Sequence, residues 1–213
     1  MNNFYVSPEQ LITDKSEFAK KGIEKGRTTV IIETKEGLLF IADNPSKHLF
    51  KTSEIYDQIG FAGAGKYSEF ENLRIAGIRH ADMKGFTYSR KDVLGRDIAN
   101  LYSQALGFIF NNEIKPYEVE LLIGEVTDEN EKNIYHISYD GTLSDREVFC
   151  SIGGKSEELD SKLSKLYRKP LFRNEAIELI KEFIINETPG KTTNFEISVI
   201  ENKGNARYFQ RLL

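Results

Sequence analysis

Cysteine occurs once in this chain of 213 residues, at Cys150, which excludes an internal disulfide framework and fits a reducing cytosol. Long apolar runs are missing as well. None approaches the 18 residues of a membrane span, and no apolar stretch near the start reads as a signal peptide. Runs of basic residues never exceed two and the net charge is −4, so the composition gives no support to nucleic-acid binding. Prolines and glycines are scattered, so no linker divides the chain. A single domain of this length buries about 70% of its unfolded surface. His48, His80 and His136 show no metal-ligand spacing with one another or with Cys150, and no metal or cofactor is expected. With 39% hydrophobic and 29% charged residues, the composition is ordinary, and the information lies in the order of elements.

That order is organised around residues 26–66. Three β-rich runs fall there, at 28–34, 38–43 and 55–64, with Val30, Ile32, Leu38 and Phe40 giving the alternation of half-buried strands. Lys35-Glu36-Gly37 is a turn-length gap with glycine at a place suited to positive φ. Ahead of the strands, residues 2–6 carry no helix signal and read as a mobile terminus. Ser7-Pro8-Glu9-Gln10 then forms a compact helix start, with Leu11, Ile12, Phe18, Ala19 and Ile23 on one face and Gly26 at the position after the helix end. Beyond the strands, 66–83 reads as a helix, and a second helix capped by Ser89 carries Leu94, Ile98, Leu101, Ala105 and Ile109 inward. Strands follow at 119–126, 133–139 and 147–152, with Asp140-Gly141 as a hairpin turn. Helices opened by Ser156 and Asn174 and closing strands at 195–200 and 206–210 complete the chain. Strands, two helices, strands, two helices, strands is not the alternation of a doubly wound sheet. It suits an α+β, four-layer αββα sandwich with an N-terminal helix.

Several stretches invite chemistry. Gly60 to Lys66 (GFAGAGK) has phosphate-loop spacing, but Tyr67 stands where a metal-holding Ser or Thr belongs, so close helix–sheet packing explains the glycines better. Thr28-Thr29 heads a strand as a threonine nucleophile would. That chemistry requires a free α-amino group, and 27 residues precede Thr28. His80 reads as a core residue on the inner side of its helix, Cys150 as a buried inert thiol, and Glu69, Glu71 and Asp82 as solvated helix surface. These groups do not assemble an acid, a base and a nucleophile.

SPE followed by EFAKKGIEKG, then NPSKHLFKTSEIYDQIGFAGAGKYSEFENLR, KPYEVELLIGEV and YDGTLSD with SIGGKSEE, lie in an order and spacing that cover nearly the whole chain. Together they resemble the proteasome α subunits, in the bacterial, actinobacterial-type branch of the family. The resemblance implies the Ntn-hydrolase sandwich as one domain over 1–213. Residues 1–7 would be a gate arm, 8–25 the N-terminal helix and 26–213 the sandwich. It implies a non-catalytic cytoplasmic subunit that forms homo-heptameric outer rings, templates a β-subunit ring and gates the entry of protein substrates. It further implies docking of the C-terminal tails of a ring-shaped ATPase activator, with no nucleic acid and no membrane involved. The matching activator-binding positions are Lys51, Gly65 and Gly26. The archaeal Tyr-Asp gating pair is absent and the helix tyrosine is Phe18, which leaves Phe4, Tyr5, Val6 and Pro8 as the gate. The alternative is a catalytically active Ntn hydrolase subunit that uses Thr28 after processing. A free-standing nucleotide-binding enzyme is the other rival, and Tyr67 argues against it.

Overall fold

The computed structural model describes residues 7–188, 194–201 and 208–212. Helix α1 (Pro8–Glu24) is followed by β1 (Thr29–Glu33), β2 (Leu38–Asp43), β3 (Thr52–Tyr56) and β4 (Ile59–Gly65). Helix α2 (Tyr67–Thr87), a 3₁₀ turn (Arg90–Asp92) and α3 (Gly95–Asn112) come next. Then come β5 (Val119–Val126), β6 (Lys132–Ile137), β7 (Leu143–Arg146) and β8 (Phe149–Ile152). Helices α4 (Ser156–Leu166) and α5 (Arg173–Glu187) and strands β9 (Phe195–Ile200) and β10 (Phe209–Leu212) close the fold.

The strands form two five-stranded antiparallel sheets, ordered β10-β9-β2-β1-β8 and β3-β4-β5-β6-β7. Helices α4 and α5 cover the outer face of the first sheet, packing Leu159, Leu163 and Ile180 onto Val30, Ile32 and Leu39. Helices α2 and α3 cover the second, with Phe70, Ile98 and Tyr102 among Phe61, Leu121 and Ile123. Between the sheets lies a third core, which includes Ile31, Leu38, Phe40, Leu122 and Ile152. The expected αββα sandwich is the observed architecture.

Four layers bury the central strands on both faces, and this corrects the half-buried reading of β1 and β2. Every residue of β2 is buried. Alternation survives as a choice between two cores. Val30 and Ile32 point to the helices, whereas Leu38 and Phe40 point between the sheets. Room for Phe40 comes from glycine. Gly60 and Gly124 are cross-strand partners, and a Cβ on either would sit 2.7 Å from the tip of the Phe40 ring.

Local differences from the sequence reading have local causes. The run 55–64 is a hairpin, because Asp57 and Gln58 turn the chain between β3 and β4. Gly37 lacks the expected positive φ, and a Cβ there would lie 2.1 Å from the Ile200 carbonyl oxygen, so close approach of β9 requires the glycine. Ser89 caps the 3₁₀ turn, and α3 begins only at Gly95. The buried face of α3 carries Ile98, Tyr102, Leu106 and Phe110; Leu94 is exposed. The Asp140-Gly141 turn pairs β6 with β7, a strand the sequence did not announce, while β8 crosses to the other sheet. His80 is exposed rather than in the core. Glu69 is buried, accepting the Lys115 ammonium and the Glu118 amide, each at 2.7 Å, which holds its carboxyl below the usual range despite desolvation.

Candidate docking site at the head of the sandwich

Helix α1 starts with Ser7, whose hydroxyl accepts the Gln10 amide, and with Pro8 in the first turn, where a missing N–H leaves no bond unmade. It packs Ala19 and Ile23 against Phe110 and Tyr139, and Lys15 Nζ donates to the Phe110 carbonyl at 2.9 Å. This anchoring delivers Gly26 to the end of β4. Gly26 has no left-handed φ. A Cβ on it would lie 3.0 Å from the Gly65 amide nitrogen and 2.8 Å from the Ile23 carbonyl oxygen. Gly65 does have positive φ, +97°, and its Cβ would overlap the Glu118 carbonyl oxygen at 1.9 Å. The two glycines therefore let backbones touch, and the space of their missing side chains is filled by the protein itself.

Lys51 completes this corner. Its ammonium donates to the carbonyl of Arg27, the residue after Gly26, at 2.7 Å. Its own carbonyl accepts the Gly63 amide at 3.0 Å. The structure thus places Lys51 in one corner with Gly26 and Gly65. Burial pulls the Lys51 pKa from 10.5 down to about 8, against the pull of Asp43 and Glu196 toward the charged form. Phe4, Tyr5 and Val6 lie outside the described residues. Pro8, the other residue expected at the gate, is exposed at the start of α1.

Three residues of the corner went unrecognised in the sequence. Arg27 Nη1 donates to both oxygens of the buried Asp43 carboxylate, at 3.0 and 3.1 Å. Glu196, 8% exposed on β9, accepts the amides of Lys51 at 2.9 Å and Thr52 at 3.0 Å, the Thr52 hydroxyl at 2.6 Å and Asn44 Nδ2 at 2.8 Å. A half-buried ammonium beside backbone groups, with its loop held rigid, can receive an anionic group such as a carboxylate.

The remaining candidates play structural parts. The Thr28 hydroxyl accepts the Lys155 amide at 3.0 Å and its nitrogen lies in the peptide bond to Arg27. Gly60 and Gly63 belong to β4 itself, so the glycine run is a strand and not a phosphate loop. Cys150 is buried and its thiol is pushed up to about 12 by desolvation, which leaves it unreactive at neutral pH. Among the described residues no group of three His, Cys, Asp or Glu side chains could hold a metal, and no helix is long and apolar enough to cross a membrane.

The family model described as proteasome subunit matches residues 23–200. The chain belongs to the proteasome subunit family, in its bacterial alpha branch. A proteasome subunit alpha of Xylanimonas cellulosilytica is 50% identical over 83% of this chain and 72% of its own length. Those of Streptomyces coelicolor and Kineococcus radiotolerans are 42% and 41% identical. They cover 99% and 98% of this chain, and 86% and 93% of their own lengths. Thr28, the residue before β1, lies inside a continuous chain.

Proposed function

We propose that this chain is the non-catalytic outer-ring subunit of a bacterial proteasome core particle, working in the cytoplasm. Its single domain, 1–213, divides into an arm (1–7), a helix (8–25) and the sandwich (26–213). Seven copies close a homo-heptameric ring that templates the β-subunit ring. Arms bearing Phe4, Tyr5 and Val6 and anchored at Pro8 gate the axial passage of protein substrates. The C-terminal tails of a ring-shaped ATPase dock at Lys51, beside the backbone of Gly26 and Gly65.

The observation that carries the docking reading is the half-buried Lys51 ammonium, which donates to the Arg27 carbonyl, and a carboxylate is a stronger acceptor for a charged donor than a neutral carbonyl. A terminal carboxylate entering there loses hydration and needs a charged donor. The family match and the engaged, amide-linked Thr28 support the non-catalytic role.

The test is binding of the ATPase's C-terminal octapeptide to assembled particles, with the amidated peptide as control. Losing one partner of a buried charge pair costs about 2–5 kcal/mol, or roughly 30- to 5000-fold per site. Lys51→Ala should weaken the free-acid peptide by at least the lower figure and leave the weak binding of the amide unchanged. Undiminished affinity for the acid would place the docking pocket elsewhere.

A further inference from the structure

We propose that Glu196 is the positioning residue of the Lys51 site: its carboxylate fixes the backbone that carries Lys51 and balances the ammonium for a carboxylate-ended tail. The proposal rests on the docking reading above and adds what sets its geometry and its pH range.

The geometry comes first. Residues 44–51 cross from the end of β2 in one sheet to the start of β3 in the other. Such a crossing has no ladder of its own to hold it. Glu196 supplies the hold from β9, the strand paired with β2. One oxygen takes the Lys51 amide and Asn44 Nδ2, at 2.9 and 2.8 Å. The other takes the Thr52 amide and hydroxyl, at 3.0 and 2.6 Å. Asn44 in turn donates to the Leu49 carbonyl at 2.6 Å, so both ends of the crossing are tied to one carboxylate. Four donors on a buried carboxylate hold it rigid. Lys51 leaves this clamp in a single direction, toward the Arg27 carbonyl.

The charge follows from the same placement. The groups acting on the Lys51 ammonium are Asp43 from β2, Glu196 from β9 and Arg27 ahead of β1. Arg211 of β10 lies behind Glu196, at 3.7 Å, and donates to the Thr52 carbonyl at 2.8 Å. Asp43 is shared with Arg27, so Glu196 is the acid whose hydrogen bonds bind it directly to the backbone of Lys51. Both acids hold the ammonium protonated against desolvation. Docking of a carboxylate needs that proton, so affinity declines as pH rises through about 8. Removing the Glu196 charge moves this alkaline limb to lower pH.

Glu196→Gln tests both halves, with the ATPase C-terminal octapeptide titrated onto assembled particles between pH 6 and 9.5. The expected result is a loss of about tenfold or more at pH 7 and an alkaline limb displaced to lower pH. Wild-type affinity, or weakened affinity with an unmoved limb, overturns the proposal, since a merely structural residue would not shift the limb. Lys51→Ala run in parallel separates the readings: peptide binding that survives it refutes docking at Lys51 itself. The Lys51 titration is also read without any docking, from the pH dependence of its acetylation by acetic anhydride, followed by peptide mass spectrometry on the full chain. Glu196→Gln should lower that inflection even if the variant does not assemble, and an unchanged inflection overturns the proposal.

Discussion

Lys51 carries its charge into a partly desolvated corner, and the sign of the resulting pH dependence is fixed. Its folded pKa of about 8 lies below the ordinary lysine value of 10.5, so the unfolded chain binds that proton more tightly. Burial of the ammonium therefore costs stability below about pH 8, and the cost fades as pH rises from there toward 10.5. Lys51→Met should stabilise the protein at pH 7 by up to about 3 kcal/mol, less about 1 kcal/mol for the lost hydrogen bond to the Arg27 carbonyl. Thermal melts at pH 7 and pH 10 check this: the gain should shrink at the higher pH, and an equal gain at both would contradict it. Lys51 was legible in the sequence only through the family match, because a lysine in a loop is otherwise a solvated lysine. Arg27, Asp43 and Glu196 gave no such signal. Lys51 bonds to residues 24 and 145 positions away, and no local pattern encodes a contact of that span.

At the scale of elements, α1 shows what a lone chain leaves undone. Ala19 and Ile23 are buried, yet Leu11 and Ile12 of the same stripe are 50% and 55% exposed and Phe18 is 46% exposed. The stripe is apolar as read, but among the described residues only Ala19 and Ile23 of it join a buried cluster, while the Phe18 ring faces the Lys115 ammonium. On the ring reading the exposed part of the stripe is desolvated by a neighbouring subunit. Replacing Leu11 and Ile12 by serine should change the stability of the free chain by no more than about 0.5 kcal/mol, as exposed positions allow, while sharply reducing ring assembly with β subunits. Native mass spectrometry reads the second effect, and full-sized particles from the double variant would count against it. Periodicity and caps located most strands and helices because those signals are local, as with β2, β5 and β9. They failed where tertiary packing overrides them. The strands of a four-layer sandwich are buried twice over, the Asp57-Gln58 turn lacks a glycine, and β7 is short and half-exposed at a sheet edge.

For the whole molecule, the order of elements carried the fold, since two strand groups each followed by a helix pair can bury all their apolar faces only by stacking into four layers. The same sandwich could host a nucleophile at the head of β1 or serve as an inert ring subunit, and the fold alone does not choose. The two readings part at Thr28. Its nitrogen is an amide, its hydroxyl is occupied by the Lys155 N–H, and the helix before it is anchored into the domain. The most direct test is the peptidase activity of particles rebuilt from this chain and its β subunit, with wild type compared against Thr28→Ala. Loss of a true nucleophile costs several orders of magnitude. An outer-ring subunit without catalytic chemistry predicts activity within about a factor of two of wild type. Collapse of activity in correctly assembled Thr28→Ala particles would contradict it.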